Sequence, residues 1–143
     1  MKPVPDLIRR HAATTDTLAK YRGKRFDWKV GNTCAHLMRF HLKKMGHKVP
    51  PMPPMRSAVG ARRALDERHC ADMGDILGAF LKLPEIAPAE MMMGDLAAMA
   101  GEDGLGGVMI CAGPHKLFGW YEDEDRLVML DLDFGQVGRA FRI

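Results

Sequence analysis

The sequence predicts an α+β fold in which N-terminal helices, one of them bearing Cys34, pack on a small C-terminal antiparallel sheet. Two observations support this prediction. In the first half of the chain, apolar residues recur at offsets of three and four, which is the spacing of one helix face. After residue 94, short apolar runs alternate with glycines and acidic residues, as expected of strands joined by turns. Helices come first and strands follow, so we expect two separate layers.

Length and composition indicate one domain over residues 1–143, with residues 1–14 as an N-terminal arm. The hydrophobic fraction of 47% is enough for a core, and the charged fraction of 27% does not indicate disorder. A net charge of +3, with the lysines and arginines scattered, predicts no nucleic-acid partner. The three cysteines form no CxxC pair, so we expect free thiols, no metal site and no cofactor.

No apolar run is long enough to cross a bilayer, and the start MKPVPDLIRRH lacks the apolar segment of a signal peptide. We therefore expect synthesis in the cytoplasm and no membrane insertion.

Start and stop signals define the predicted helices. The first covers residues 15–21 and ends before Gly23. The second begins at Cys34, because Asn32 and Thr33 can both accept hydrogen bonds from a first helical turn, and it ends at Gly46. One face of this helix carries mainly apolar side chains and includes the thiol: Cys34, Leu37, Met38, His41, Leu42 and Met45.

The remaining elements follow in order. The proline-rich stretch 47–57 predicts a stiff loop. Ser57 caps a predicted helix that runs to about Glu67, and Asp72 caps another that contains Leu77. The stretches GDLAAMA, GGVMICAG, HKLFGWY and RLVMLDL predict three or four antiparallel strands. Phe26 and Trp28, at alternate positions before the Cys34 helix, are expected in the core.

Cys34 allows two interpretations. The positive end of a helix favours a thiolate, as in enzymes with cysteine nucleophiles, but a lone cysteine on an apolar face is more often a core residue. A nucleophile needs an imidazole within hydrogen-bond reach. His36 faces about 200° away around the helix, and His41 lies roughly 10 Å further along its axis. His115, in the turn GPHK, is either a surface turn residue or a base, and its position favours the turn.

Four stretches occur in order: FDWKVGNTCAHL, MGDLAAM, GGVMICAG and the terminal GRAFRI. Together they resemble the NlpC-like branch of the papain-like cysteine peptidases, which cut the peptide stems of bacterial cell walls. They are more similar still to a divergent group encoded among phage tail genes. The resemblance covers residues 16–143 and implies an NlpC-like fold with Cys34 at the position of the nucleophile.

Three departures from this pattern bear on activity. Thr33 stands where the family has an aspartate, and Lys29 where it has a glycine after the tryptophan. Gly107 stands where the family has its catalytic histidine, and a glycine cannot take a proton from Cys34. Loss of a general base lowers a rate by about two to four powers of ten.

The resemblance therefore implies a structural or assembly component of a phage tail tip or baseplate, located in the virion and bound to other tail-tip proteins. The alternative is an active cysteine peptidase or amidase that cleaves peptidoglycan during infection. In that case Cys34 is the nucleophile, and His115 or a histidine of a partner chain is the base. The sequence leaves the choice between enzyme and non-enzyme open.

Overall fold

The structure is a computed structural model that describes residues 6–51, 56–100, 104–121, 125–133 and 137–143. Its helices are α1 (Asp6–Tyr21), α2 (Cys34–Lys44), α3 (Ala58–Glu67) and α4 (Met73–Asp75), the last continued by a π-helical segment (Ile76–Phe80). Its strands are β1 (Glu85–Ile86), β2 (Leu96–Met99), β3 (Gly107–Gly113), β4 (Lys116–Gly119), β5 (Val128–Asp131) and β6 (Arg139–Phe141), with a 3-10 turn (Pro88–Glu90) between β1 and β2.

All neighbouring strands of the described sheet are antiparallel, in the order β1-β6-β2-β3-β4-β5. Strand β2 pairs with β3 so that Met99 faces Gly107, the first residue of β3. Helix α2 packs on β3 and α1 packs on α2. The helices thus form a layer on one face of the sheet, and the predicted α+β class is confirmed.

The sheet buries apolar side chains on both faces, because successive residues of a strand point to opposite sides. In β3, Val108 and Ile110 join the core beneath the helices, while Met109 and Cys111 belong to a second cluster on the other face. All four are at most 1% exposed. This explains why the strands are continuous apolar runs instead of alternating ones.

The predicted starts of α2, α3 and α4 are confirmed by their caps. The side chain of Thr33 accepts a hydrogen bond from the backbone of His36, that of Ser57 from Gly60, and that of Asp72 from Asp75. After α2, Gly46 has a φ of +91, a backbone conformation that glycine adopts without strain. The part of the predicted proline-rich loop at residues 52–55 lies outside the described residues.

Helix α1 is longer than the sequence predicts. It begins at Asp6, so residues 6–14, which were predicted to be an arm, are helical, and residues 1–5 lie outside the described residues. Asp6 pairs with Arg9 and Arg10 one turn later, and Arg10 is only 3% exposed. Arg10 also donates to Asp95, 85 positions away, so the sequence of this polar stretch alone does not indicate that it packs on the domain.

The four predicted strands are present as β2 to β5, and the described chain adds β1 and β6. Strand β6 lies in the terminal GRAFRI and pairs with both β1 and β2. Within the described residues, no helix has the length and apolar character that crossing a bilayer requires.

Candidate active site

Cys34 is the first residue of α2, immediately after the cap. Thr33 has an extended backbone, and its Oγ1 accepts from the backbone N–H of His36 at 3.3 Å and lies 2.8 Å from His36 Nδ1. Cys34 itself is partly exposed. The thiol therefore lies at the positive end of the helix dipole, which favours a thiolate.

A tight loop leads into this helix start. The backbones of Asp27 and Asn32 pair in both directions, with N to O distances of 2.9 and 3.0 Å. Gly31 has a φ of +80, and a Cβ placed there would lie 3.1 Å from Cδ2 of His36. Glycine is required at this position because a side chain would be strained and would press on the imidazole.

The aromatic residues of the loop are only partly in the core. Phe26 is 38% exposed, so its predicted burial is wrong, while Trp28 is half-buried. Their rings meet edge to face at 5.3 Å, and Phe26 makes a similar contact with Trp120 at 5.8 Å. The aromatic contacts attach the loop to the chain just after β4, and thereby help to fix the start of α2.

Gly107 faces the thiol. A Cβ placed on Gly107 would lie 3.5 Å from Sγ of Cys34, which is an ordinary van der Waals distance. The position where the resemblance places the family's histidine is thus directly beside the cysteine. A side chain at this position would contact the thiol, but glycine supplies none.

His36, predicted to face away from the thiol, and His41, predicted to lie too far along the helix, both have other surroundings. His41 is fully buried, with Nδ1 2.9 Å from Thr17 Oγ1 and Nε2 2.8 Å from the Gly94 carbonyl oxygen. Burial lowers its pKa to about 4, so the ring is neutral at pH 7. The pKa of His36 is also lowered, first by burial and then by the charges of Arg39 and Lys20.

His115 lies in the turn between β3 and β4, as the sequence predicts, and is exposed with a φ of 57. Cys34 is beside the first residue of β3, whereas His115 follows its last residue. At about 3.3 Å per residue, the seven-residue strand separates them by roughly 20 Å. The structure therefore does not bring His115 to Cys34.

The two other thiols are buried, and burial raises the pKa of both Cys70 and Cys111. Cys34 is the one of the three that is partly exposed. Within the described ranges, no three His, Cys, Asp or Glu side chains are grouped so that they could hold a metal ion.

One polar cluster was not predicted from the sequence. Asp95 is fully buried, and its carboxylate accepts from Arg10 and Arg142 at 2.9 Å each. It also accepts from the backbone N–H groups of Met92 and Ile143. An aspartate at the entry of an apolar strand was the available signal, but its two arginine partners are 47 and 85 residues away. The carboxylate joins α1, β2 and the residues after β6.

The fold is that of the NlpC/p60 domains, which have the papain-like peptidase fold. Three solved structures match nearly the whole chain. The NlpC/p60 domain of the peptidoglycan hydrolase SagA matches with a TM-score of 0.56 and 16% identity, covering 93% of this chain and 98% of that one. Two P60 domains come from M. avium subspecies paratuberculosis. Antigen MAP1204 matches with a TM-score of 0.55 and 13% identity, covering 95% of this chain and 96% of that one. Antigen MAP1272c matches with a TM-score of 0.54 and 18% identity, covering 96% and 97%.

The chain belongs to the family described as a domain of unknown function, DUF6950, whose model matches residues 7–143. No curated protein sequence matches it. The NlpC-like fold that the four sequence stretches implied is thus confirmed.

Proposed function

We propose that this protein is a structural or assembly component of a phage tail tip or baseplate, built on an NlpC/p60 fold with Gly107 at the position where the resemblance places the catalytic histidine. The observation that supports the proposal is the position of Gly107, where a Cβ would lie 3.5 Å from Sγ of Cys34. The fold places the thiol at a helix start and positions Gly107 beside it, where a base would be needed. The phage setting is supported by the terminal GRAFRI, which resembles the end of the tail-gene group.

Peptide hydrolysis by this site would be slow. A cysteine nucleophile needs a partner that removes its proton and later protonates the leaving amine. Gly107 can do neither, and His115 lies at the opposite end of β3. Without a general base, the rate falls by about two to four powers of ten. A domain with this fold and without fast hydrolysis is suited to binding other proteins in an assembly.

The alternative function is a cysteine peptidase or amidase that acts on peptidoglycan. It is favoured by the partly exposed Cys34 at the start of α2 and by the fold shared with the peptidoglycan hydrolase SagA. In this case a histidine from a partner chain, or His115 after a rearrangement, would supply the base.

A wall-hydrolysis assay separates the two functions. Purified wild type and Cys34→Ala are incubated with isolated peptidoglycan, and released stem peptides are measured by mass spectrometry. We expect no release above the level of Cys34→Ala. If wild type releases stem peptides and Cys34→Ala does not, the non-hydrolytic proposal is overturned. A comparable loss in His115→Ala would then identify the base.

The proposed location at the tail tip is tested on purified virions. Antibodies against the chain are expected to label the tail tip of virions produced by the strain that encodes it. If the antibodies do not label purified virions, an assembly role in the tail is contradicted.

A further inference from the structure

A cavity of about 60 Å³ opens on the helical side of the molecule, between α2, α3 and the π-helical segment. Its walls are mainly apolar and include Met38, Leu65, Ile76 and Phe80. It is less than half the size of a cavity of about 150 Å³ that holds benzene, and far below the roughly 300 Å³ of a small-molecule site. Its size fits a single aliphatic side chain better than a cofactor.

Among the described residues that line the cavity, only Arg39 and Arg68 are charged. Nε of Arg39 is buried, and no acceptor in the described part of the chain lies within hydrogen-bond distance of it. The side chain of Arg68 is 22% exposed, and its guanidinium carbon lies 5.4 Å from the centre of the Phe80 ring. Arg39 as a whole is half-buried at the cavity wall, and the positive charges of Arg39 and Arg68 there favour an anionic group.

Charge is distributed unevenly along the chain. Residues 1–72 contain sixteen Lys and Arg against six Asp and Glu, a net charge of +10, while residues 73–143 contain five against twelve, a net charge of −7. Helices α1, α2 and α3 all come from the first part, and together they contain eight Lys and Arg against four Asp and Glu, a net charge of +4, so the helical layer is cationic. Such a surface attracts an acidic partner and repels a basic one.

We propose that this cavity is the docking site for an acidic segment of a partner polypeptide. The segment inserts one aliphatic side chain of about leucine size between α2 and α3, and a neighbouring carboxylate binds Arg39 and Arg68. The inference rests on the proposed assembly function and specifies the chemistry of the partner. Nη1 of Arg68 donates to the Ala64 carbonyl oxygen at 3.0 Å, and the remaining N–H groups of a guanidinium suit a carboxylate acceptor.

The test uses three synthetic tripeptides, each acetylated and amidated, titrated into the ¹⁵N-labelled full chain and followed by NMR. Asp-Leu-Glu carries the anchor and both charges, Asp-Ala-Glu lacks the anchor, and Lys-Leu-Lys reverses the charge. We expect Asp-Leu-Glu to shift amide signals around Met38, Leu65 and Phe80. The other two peptides are expected to bind at least about tenfold more weakly, as loss of one buried side chain or one charged hydrogen bond implies.

Variants then test the role of the arginine. Arg39→Gln is expected to weaken the binding of Asp-Leu-Glu by about tenfold. Arg63→Gln is the matched control, because Arg63 is exposed on α3 and does not line the cavity, and it is expected to bind as wild type does. Thermal unfolding of both variants establishes that they are folded.

Three outcomes would overturn the proposal: equal binding of Lys-Leu-Lys, shifts confined to another surface, or unchanged affinity in Arg39→Gln. A concentration-dependent dimer in sedimentation that buries the cavity would also overturn it, since a second copy would then be the occupant. Wall hydrolysis by wild type would count against the proposed function alone, because the peptide titration does not measure activity.

Discussion

At the scale of residues, position 107 determines what Cys34 can do. The capped start of α2 and the close approach of β3 place the thiol beside this residue, independently of which side chain stands there. The backbone of Gly107 is not in the left-handed region, and a Cβ would meet nothing closer than the sulfur at 3.5 Å. A larger residue is therefore compatible with the backbone at this position.

We expect Gly107→His to fold and to bring an imidazole to the thiol. The imidazole would accept the thiol proton, so the thiolate fraction near pH 6 should rise and alkylation of Cys34 by iodoacetamide should accelerate by about tenfold or more. The measurement is the alkylation rate against pH, read by mass spectrometry at each cysteine.

Gly107→Ala is the matched control, since it adds the Cβ without the imidazole, and its Cys34 should react as in wild type. Cys70 and Cys111 serve as internal references, because both are buried. Equal rates for Cys34 in the histidine and alanine variants would mean that position 107 does not present its side chain to the thiol.

His41 is a second residue whose surroundings give a testable result. A carbonyl oxygen only accepts, so Nε2 must donate its hydrogen to Gly94. Nδ1 lies 2.9 Å from the hydroxyl oxygen of Thr17, which also lies 2.8 Å from the Ala13 carbonyl oxygen. Burial disfavours the charged ring and lowers the pKa from 6.5 to about 4.

We expect this histidine to make the protein less stable in mild acid. Above pH 6.5 the ring is neutral in both the folded and the unfolded chain, so it adds no pH dependence. Between pH 6.5 and 4 the unfolded chain binds a proton that the folded chain excludes, and the free energy of unfolding falls as the pH falls. By pH 4 the loss is about 3 kcal/mol.

Urea unfolding at several pH values, for wild type and His41→Gln, measures this contribution. The difference between their free energies of unfolding should change by that amount between pH 7 and pH 4, with wild type losing more. Parallel pH curves for the two proteins would show that His41 titrates alike in both states.

At the scale of elements, the Asp95 carboxylate holds α1 against the sheet. Asp95→Asn would remove the buried counter-charge of Arg10 and leave it only the exposed carboxylate of Asp6, so we expect a loss of about 3 to 5 kcal/mol in the free energy of unfolding. The control is Asp131→Asn, which removes an exposed pair with Lys116 at 2.8 Å and should cost far less, because solvent screens this pair. Urea unfolding of both variants provides the comparison, and similar losses would argue against a special role for Asp95.

The elements that the sequence predicted correctly are those with local signals. Thr33 and Ser57 cap their own helices, and the glycine after α2 ends it, so each boundary depends on residues a few positions apart. The start of α1 could not be predicted because Arg10 is buried by a partner 85 positions away. Strands β1 and β6 have two and three residues, too few for a periodic pattern, and form only because each pairs with a distant neighbour.

At the scale of the whole molecule, the sequence predicted the local part of the candidate site but not the parts that depend on packing between distant elements. The Cys34 helix start is local, and its role followed from a resemblance over most of the chain. Gly107 faces Cys34 because α2 packs against β3, and this packing brings together two residues that are 73 positions apart in the sequence. The cavity requires three separate helical segments to meet, so no single stretch of sequence indicates it.

The boundary of the folded unit gives the last prediction. The sequence suggests that residues 1–14 are an arm, whereas Arg10, Ala13 and Thr14 are all less than 5% exposed in α1. A chain that starts at residue 15 would lose these contacts and leave Asp95 buried without Arg10. We expect a loss of more than about 4 kcal/mol, which is close to the total stability of many domains.

Circular dichroism and urea unfolding of the shortened chain should therefore show a much lower midpoint, or no cooperative transition at all. The matched control keeps the full length and replaces only exposed apolar residues of α1, as Leu7→Ser with Ile8→Ser, which are 66% and 61% exposed. Because these side chains contribute little buried area, that variant should unfold within about 0.5 kcal/mol of wild type. A shortened chain that unfolds like wild type would instead mean that residues 1–14 are an arm, and that the buried carboxylate of Asp95 is held sufficiently by Arg142 and the backbone.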